Sequence, residues 1–178
     1  MRHGQAISNV KSIVSCWSEK FYNPITKMGK KMAKESAESL KDKNIDMIFA
    51  SPLLRTKMTS EIVGKALKLK PKFDMRLKEQ NSGVFNGRPF PELQEFFGEK
   101  GVRRFNVLPP KGETYNDIKK RMVGFLRAID KKYKNKTILI ISHELPLIFL
   151  DCAVKGIVNR DFYKKREKIH TAEVRELN

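Results

Sequence analysis

Two apolar hexapeptides, IDMIFA (45–50) and TILIIS (137–142), dominate what this chain can become. Each is rich in Ile, Phe or Leu and stops abruptly at polar residues, the pattern of a strand buried on both faces of a parallel sheet. Parallel neighbours need long crossover connections, usually helical. Helical patterns are present where they are needed. After Ser51-Pro52, Leu54, Met58, Ile62 and Ala66 recur at helical spacing. From about Thr114 to Tyr133, Tyr115, Ile118, Met122, Phe125, Leu126, Ile129 and Tyr133 form one apolar stripe. Thr26 can cap a helix running to about Lys41, and Leu145–Val154 reads as a helix ending at Gly156. KPKFD (70–74) and the tail TAEVREL (171–177) add two short candidate strands, the tail at an edge. Strand and helix in alternation predict an α/β layered fold with a mainly parallel sheet, and 178 residues suit one domain.

Charge narrows the partners without naming one. The net charge of +17 comes mostly from lysine. It serves solubility, or it sets up a field that draws in anions. The lysines are scattered and not interleaved with stacking aromatics, and no nucleic-acid-binding motif is present, which argues against nucleic acid. Cys16 and Cys152 lack CxxC spacing and sit among apolar neighbours, as buried free thiols would. With three histidines and no Cys/His pair at ligand spacing, no metal site is expected. The run 138–150 holds His143, Glu144 and Pro146 and is too short to span a bilayer. No apolar leader opens the sequence, so a soluble cytoplasmic protein is expected.

Ligands of open α/β sheets bind beyond the carboxyl ends of the strands. There the chain places Arg55, after Ser51-Pro52-Leu53-Leu54, and His143. Each has a plainer reading, as a surface cation and as a hydrogen-bonded core histidine. From Gln80 to Gly112 the chain holds four prolines and five glycines, long for a loop and fit for a lid or insertion. Arg2-His3-Gly4 at the front has the composition of reaction chemistry: a histidine beside a fixed cation and a residue that admits close backbone.

Six segments in order carry a resemblance: RHG with Asn9, NPITKMG (23–29), SPLLRTKMTSEI (51–62), RLKEQNSGVFNGRP (76–89), PPKGETYNDIKKRM (109–122) and ILIISHE (138–144). Together they resemble the histidine phosphatase superfamily, the phosphoglycerate-mutase-like proteins. The resemblance implies a three-layer α/β/α sandwich with a mainly parallel sheet and an antiparallel final strand. It implies catalysis without metal or cofactor on a small phosphorylated metabolite, by a monomer or homodimer. Neutral His3 would attack phosphorus, Arg2, Arg55, Asn9 and His143 would bind the phosphoryl oxygens, and Glu79 would protonate the leaving oxygen. Arg88, Arg103 and Arg104 would be within reach of a second anionic group. Asn9 has a second reading as a helix cap. Alternatives are mutase-type phosphoryl transfer, which the short chain disfavours, and an inactive domain that binds a phosphorylated ligand or a partner.

Three departures stand out. Glutamate follows His143 where the family often has glycine, and Gln5 replaces a commoner glutamate. The resemblance also implies a buried strand leading directly into Arg2, and only Met1 stands ahead of it. The sheet is therefore expected to lack this central strand, with His3 on a frayed terminus too loose for catalysis.

Overall fold

The computed structural model describes residues 1–98 and 102–177, so residues 99–101 of the long Gln80–Gly112 stretch lie outside the described residues. In chain order the elements are α1 (Ile7–Lys11), α2 (Lys27–Ser39), β1 (Met47–Ala50), α3 (Leu54–Leu67), β2 (Lys72–Phe73), α4 (Phe90–Phe97), α5 (Tyr115–Lys132), β3 (Ile138–Ile141), α6 (Glu144–Val154) and α7 (Phe162–Lys165). The sheet order is β2-β1-β3, all parallel, with Met47 opposite Ile138 and Ala50 opposite Ile141.

Alternation along the strands sorts side chains into two cores. Ile48, Ala50, Leu139 and Ile141 pack with Ala37 and Leu40 at the end of α2 and with Val63 of α3. Phe49 packs with Ile118, Met122 and Phe125 of α5 and with Leu147 and Phe149 of α6, joined by Met47, Ile138 and Ile140. Helices thus cover both faces, and the three-layer α/β/α arrangement follows. Each fully buried Phe or Ile removes apolar surface worth about 1.5–3 kcal/mol. Local chemistry sets the helix starts. The Thr26 hydroxyl accepts from Gly29 N–H at 3.0 Å, and Thr114 with Asp117 closes a capping box on α5. Among the described residues no helix is long and apolar enough to cross a membrane.

Two expectations need correction. His3 is not frayed. On one side Met1 N donates to Ile140 O (2.8 Å), Ser142 N to Met1 O (3.1 Å) and His3 N to Ser142 O (3.0 Å). On the other, Arg2 N donates to Glu173 O and Ala172 N to His3 O, each at 3.0 Å. Both edges of these three residues are paired, and Met1 and His3 are buried. The tail 171–177 forms no regular strand: Ala172 lies at φ 62°, which interrupts the extended run after a two-bond contact with residues 2 and 3. A cavity of about 750 Å³ is lined by Met1, Leu40, Ile138, Ile140, Leu147 and Val174.

Candidate active site

The segment Met1–His3, β1 and β3 run parallel, so their carboxyl ends meet at one edge of the sheet. Close packing fixes the first of them. A Cβ on Gly4 would lie 2.4 Å from Gly29 O, and one on Gly29 would lie 2.1 Å from Gln5 O. Two glycines therefore let the first turn of α2 sit on the backbone directly after His3. Gly4 N–H donates to Thr59 Oγ1 (3.1 Å), tying the same backbone to α3.

His3 Nδ1 is 2.8 Å from Gly4 O, which can only accept, so Nδ1 carries the proton and Nε2 keeps its lone pair. Arg55, on the first turn of α3, brings Nε to 3.2 Å from that Nε2. Its other nitrogens bind Ser15 Oγ (3.2 Å) and Ser15 O (3.1 Å), with a Glu19 carboxylate oxygen 3.7 Å away. His143, the N-cap residue of α6, packs edge-on against His3 with ring centroids 5.2 Å apart. Its Nε2 is 2.8 Å from Ser51 Oγ at the end of β1. Arg2 sends NH1 to Ile169 O (2.7 Å) and to Glu144 Oε2 (2.5 Å).

Two nitrogens are left over. Among the described residues, Arg2 Nε and His143 Nδ1 are the buried side-chain nitrogens or oxygens with no hydrogen-bond partner. A buried polar group without a partner costs about 1–3 kcal/mol. Both lie in residues that neighbour His3, so the two unmet donors fall in one region of the molecule. Burial, with Arg55 and Arg2 adding like-charge repulsion, holds the His3 pKa well below the ordinary imidazole value. His143 is held well below it too, by burial first and then by Arg55.

Glu79 is half-buried, with Oε1 accepting from Gln80 N–H at 2.8 Å. Burial raises its pKa, Arg55 and the Gln80 N–H oppose, and Glu144 adds to the rise. Its loop is fastened from behind. Arg121 of α5 pairs with Glu113 (3.1 and 2.8 Å) and donates to Glu79 O (3.2 Å) and Arg76 O. Glu113 also accepts from Asn81 N–H at 2.8 Å. Trp17 donates its indole N–H to Glu79 O (2.5 Å), and the cations of Lys78 and Arg121 each lie over its ring.

Arg2, His3, Asn9, Arg55 and Glu79 all line one cavity of about 860 Å³, while His143 stands fully buried beside His3. Asn9 acts as a helix cap, since its Oδ1 accepts from Ala6 N–H at 2.8 Å. Of the three arginines expected near a second anionic group, Arg104 lines the cavity. Arg88 and Arg103 do not; both are exposed, and Arg88 pairs with Glu92 at 3.5 Å. Sequence reasoning missed Ser15 and Arg166, and Ser51 fell within the quoted segment 51–62 without a role. Glu113 and Arg121 fell within the quoted segment 109–122, where the spacing of acid and base was the available signal.

A family model described as the histidine phosphatase superfamily (branch 1) matches residues 1–178. This chain belongs to the histidine phosphatase superfamily. Its relatives include phosphoserine phosphatase 1 of Hydrogenobacter thermophilus, 30% identical over 164 residues, covering 83% of this chain and 77% of the relative. Another is the probable phosphoglycerate mutase GpmB of Cronobacter sakazakii, 30% identical over 172 residues, covering 93% of this chain and 76% of the relative. Among solved structures, a mycobacterial glucosyl-3-phosphoglycerate phosphatase superposes with a TM-score of 0.83 at 20% identity, covering 96% of this chain and 87% of that one. At that identity the superposition speaks for the superfamily fold.

Proposed function

We propose that the chain is a metal-independent phosphomonoesterase that acts on a small phosphorylated metabolite through a phosphohistidine at His3. The observation that carries this reading is the pair of unpartnered donors, Arg2 Nε and His143 Nδ1, beside an imidazole whose Nε2 lone pair is held ready by Gly4. The His3 Nε2 lone pair attacks phosphorus while the ester P–O bond breaks, and the departing oxygen takes the proton of Glu79. Water then attacks the phosphohistidine, gives a proton to the Glu79 carboxylate and releases phosphate, which restores Nε2. The depressed His3 pKa keeps the nucleophile neutral, and the raised Glu79 pKa favours the protonated acid the first step needs. Arg55 Nε passes from His3 to a phosphoryl oxygen, and Arg2 and Arg55 offset the charge of the transition state. When Nε2 of His143 accepts from the Ser51 hydroxyl, Nδ1 carries the proton and donates to the same oxygens.

The test is phosphate release from an aryl phosphate, with His3→Ala as control. Turnover that falls to the uncatalysed level in His3→Ala is expected, together with an acid-labile phosphoryl label on the wild-type protein. Turnover that survives His3→Ala overturns the mechanism. Binding of inorganic phosphate without any turnover supports the non-catalytic reading instead. The relative named a probable phosphoglycerate mutase favours a second reading, in which an alcohol replaces water in the second step. Transfer of the label to an added hydroxy acid distinguishes it.

A further inference from the structure

In the proposed reaction Arg55 has to change partners: its Nε leaves His3 Nε2, 3.2 Å away, for a phosphoryl oxygen. Resting on the phosphatase reading, we propose that Glu19 is a positioning residue whose negative charge anchors the far end of Arg55 through that exchange.

Glu19 reaches Arg55 from an irregular stretch. Ser18 and Lys20 beside it are exposed, whereas its own side chain is turned inward and 26% exposed. Its backbone lies at φ 35°, a region that residues other than glycine rarely adopt, and its N–H donates to Cys16 O at 3.1 Å. Both carboxylate oxygens accept from Leu54 N–H, at 3.0 and 3.1 Å, and Oε1 lies 3.7 Å from Arg55 NH1. Leu53, the N-cap of α3, has no side-chain oxygen to offer. From 35 positions away Glu19 therefore supplies both the cap of α3 and a counter-charge for Arg55.

The counter-charge matters because Arg55 is 2% exposed. Burial pulls the Arg55 pKa down, and Glu79 and then Glu19 oppose it. The two acids do not serve alike during the reaction. Glu79 is protonated when the first step begins, and in that form it balances no charge. Glu19 is the ion-pair partner of Arg55 among the described residues, and it does not line the cavity. Ser15 holds the same end of the guanidinium through its Oγ and its carbonyl, and Asn23 Nδ2 fixes that Oγ at 2.9 Å. With NH1 and NH2 gripped by Ser15 and Glu19, Nε alone is free to turn from His3 to the phosphoryl group.

The experiment compares Glu19→Gln and Glu19→Ala with wild type, by kcat and KM for an aryl phosphate and by thermal melting. Glu19→Gln keeps an oxygen that caps α3 and loses the charge, whereas Glu19→Ala loses both. In Glu19→Gln kcat should fall by about tenfold or more, since a misplacement of about 1 Å costs up to about a hundredfold. KM should not rise, because removing a carboxylate beside Arg55 favours an incoming phosphate dianion. Tm should stay near wild type in Glu19→Gln and drop in Glu19→Ala with the lost cap. In an Arg55→Lys background, which lacks the planar fork, the effect of Glu19→Gln on kcat should shrink below about twofold. Wild-type kcat in Glu19→Gln, a loss of kcat accompanied by a higher KM, or an undiminished effect in Arg55→Lys overturns this inference alone. No turnover of any ester by the wild type overturns the phosphatase reading and this inference with it.

Discussion

Replacing Arg121 with methionine keeps an unbranched apolar stem and removes its charge and its donors. Glu113 would then remain with 10% of its side chain exposed, its only ion-pair partner among the described residues gone. Removing one partner of a buried pair costs about 3–5 kcal/mol, because the other charge is left uncompensated. The carbonyls of Arg76 and Glu79 lose a donor at the same time. For a chain of this size, such a loss lowers Tm by roughly 6–20 °C. The double variant Glu113→Gln with Arg121→Met should recover part of that, since no bare carboxylate remains. The amide introduced by Glu113→Gln can still accept from Asn81 N–H, as the carboxylate does. Urea unfolding of both variants and of Glu113→Gln closes a thermodynamic cycle. Arg121→Met within about 1 kcal/mol of wild type, or the double variant less stable than Arg121→Met, would refute the account of a buried pair fastening the Glu79 loop.

Acid should weaken the fold through its two buried imidazoles. His3 and His143 resist protonation in the fold, whereas in the unfolded chain they bind protons below about pH 6.5. Stability therefore falls as pH drops from about 6.5 to 5, by up to about 1.4 kcal/mol per pH unit for each histidine. The raised pKa of Glu79 works in the opposite sense and offsets part of the fall. A urea midpoint at pH 5 equal to or above that at pH 7 would contradict this. Gly29→Ala drives a methyl toward Gln5 O, and overpacking of this kind costs about 1–3 kcal/mol. Gly124→Ala, with nothing within 4 Å of the added carbon in the middle of α5, should stabilise by about 0.5–1 kcal/mol. Thermal melts of the two variants shifting in the same direction would undo the reasoning.

Elements whose order is local were legible in the sequence. The stripe Tyr115–Ile118–Met122–Phe125–Ile129 is the buried face of α5, and Thr26 and Thr114 stand where the helix starts required caps. IDMIFA and TILIIS gave β1 and β3, and the residues at their carboxyl ends, Arg55 and His143, converge beside His3. What depends on distant partners was hidden. The docking of Met1–His3 rests on hydrogen bonds to residues more than 130 positions away, which no local pattern encodes. Ser15, which orients Arg55, lies in an irregular stretch without periodicity. Arg88, Arg103 and Arg104 look alike in sequence. The stacking of Arg104 on Phe97 and Tyr115 turns that one toward the cavity, and Arg166 arrives from the far end of the chain.

Trp17 is the single tryptophan of the chain, its indole N–H rests on the carbonyl of Glu79, and two cations lie over its ring. All indole emission from this protein consequently originates at the backbone of Glu79, whose residue lines the cavity. Spectral position and quenching there will report on displacement of the Glu79 loop, with no dye attached and no second indole to subtract.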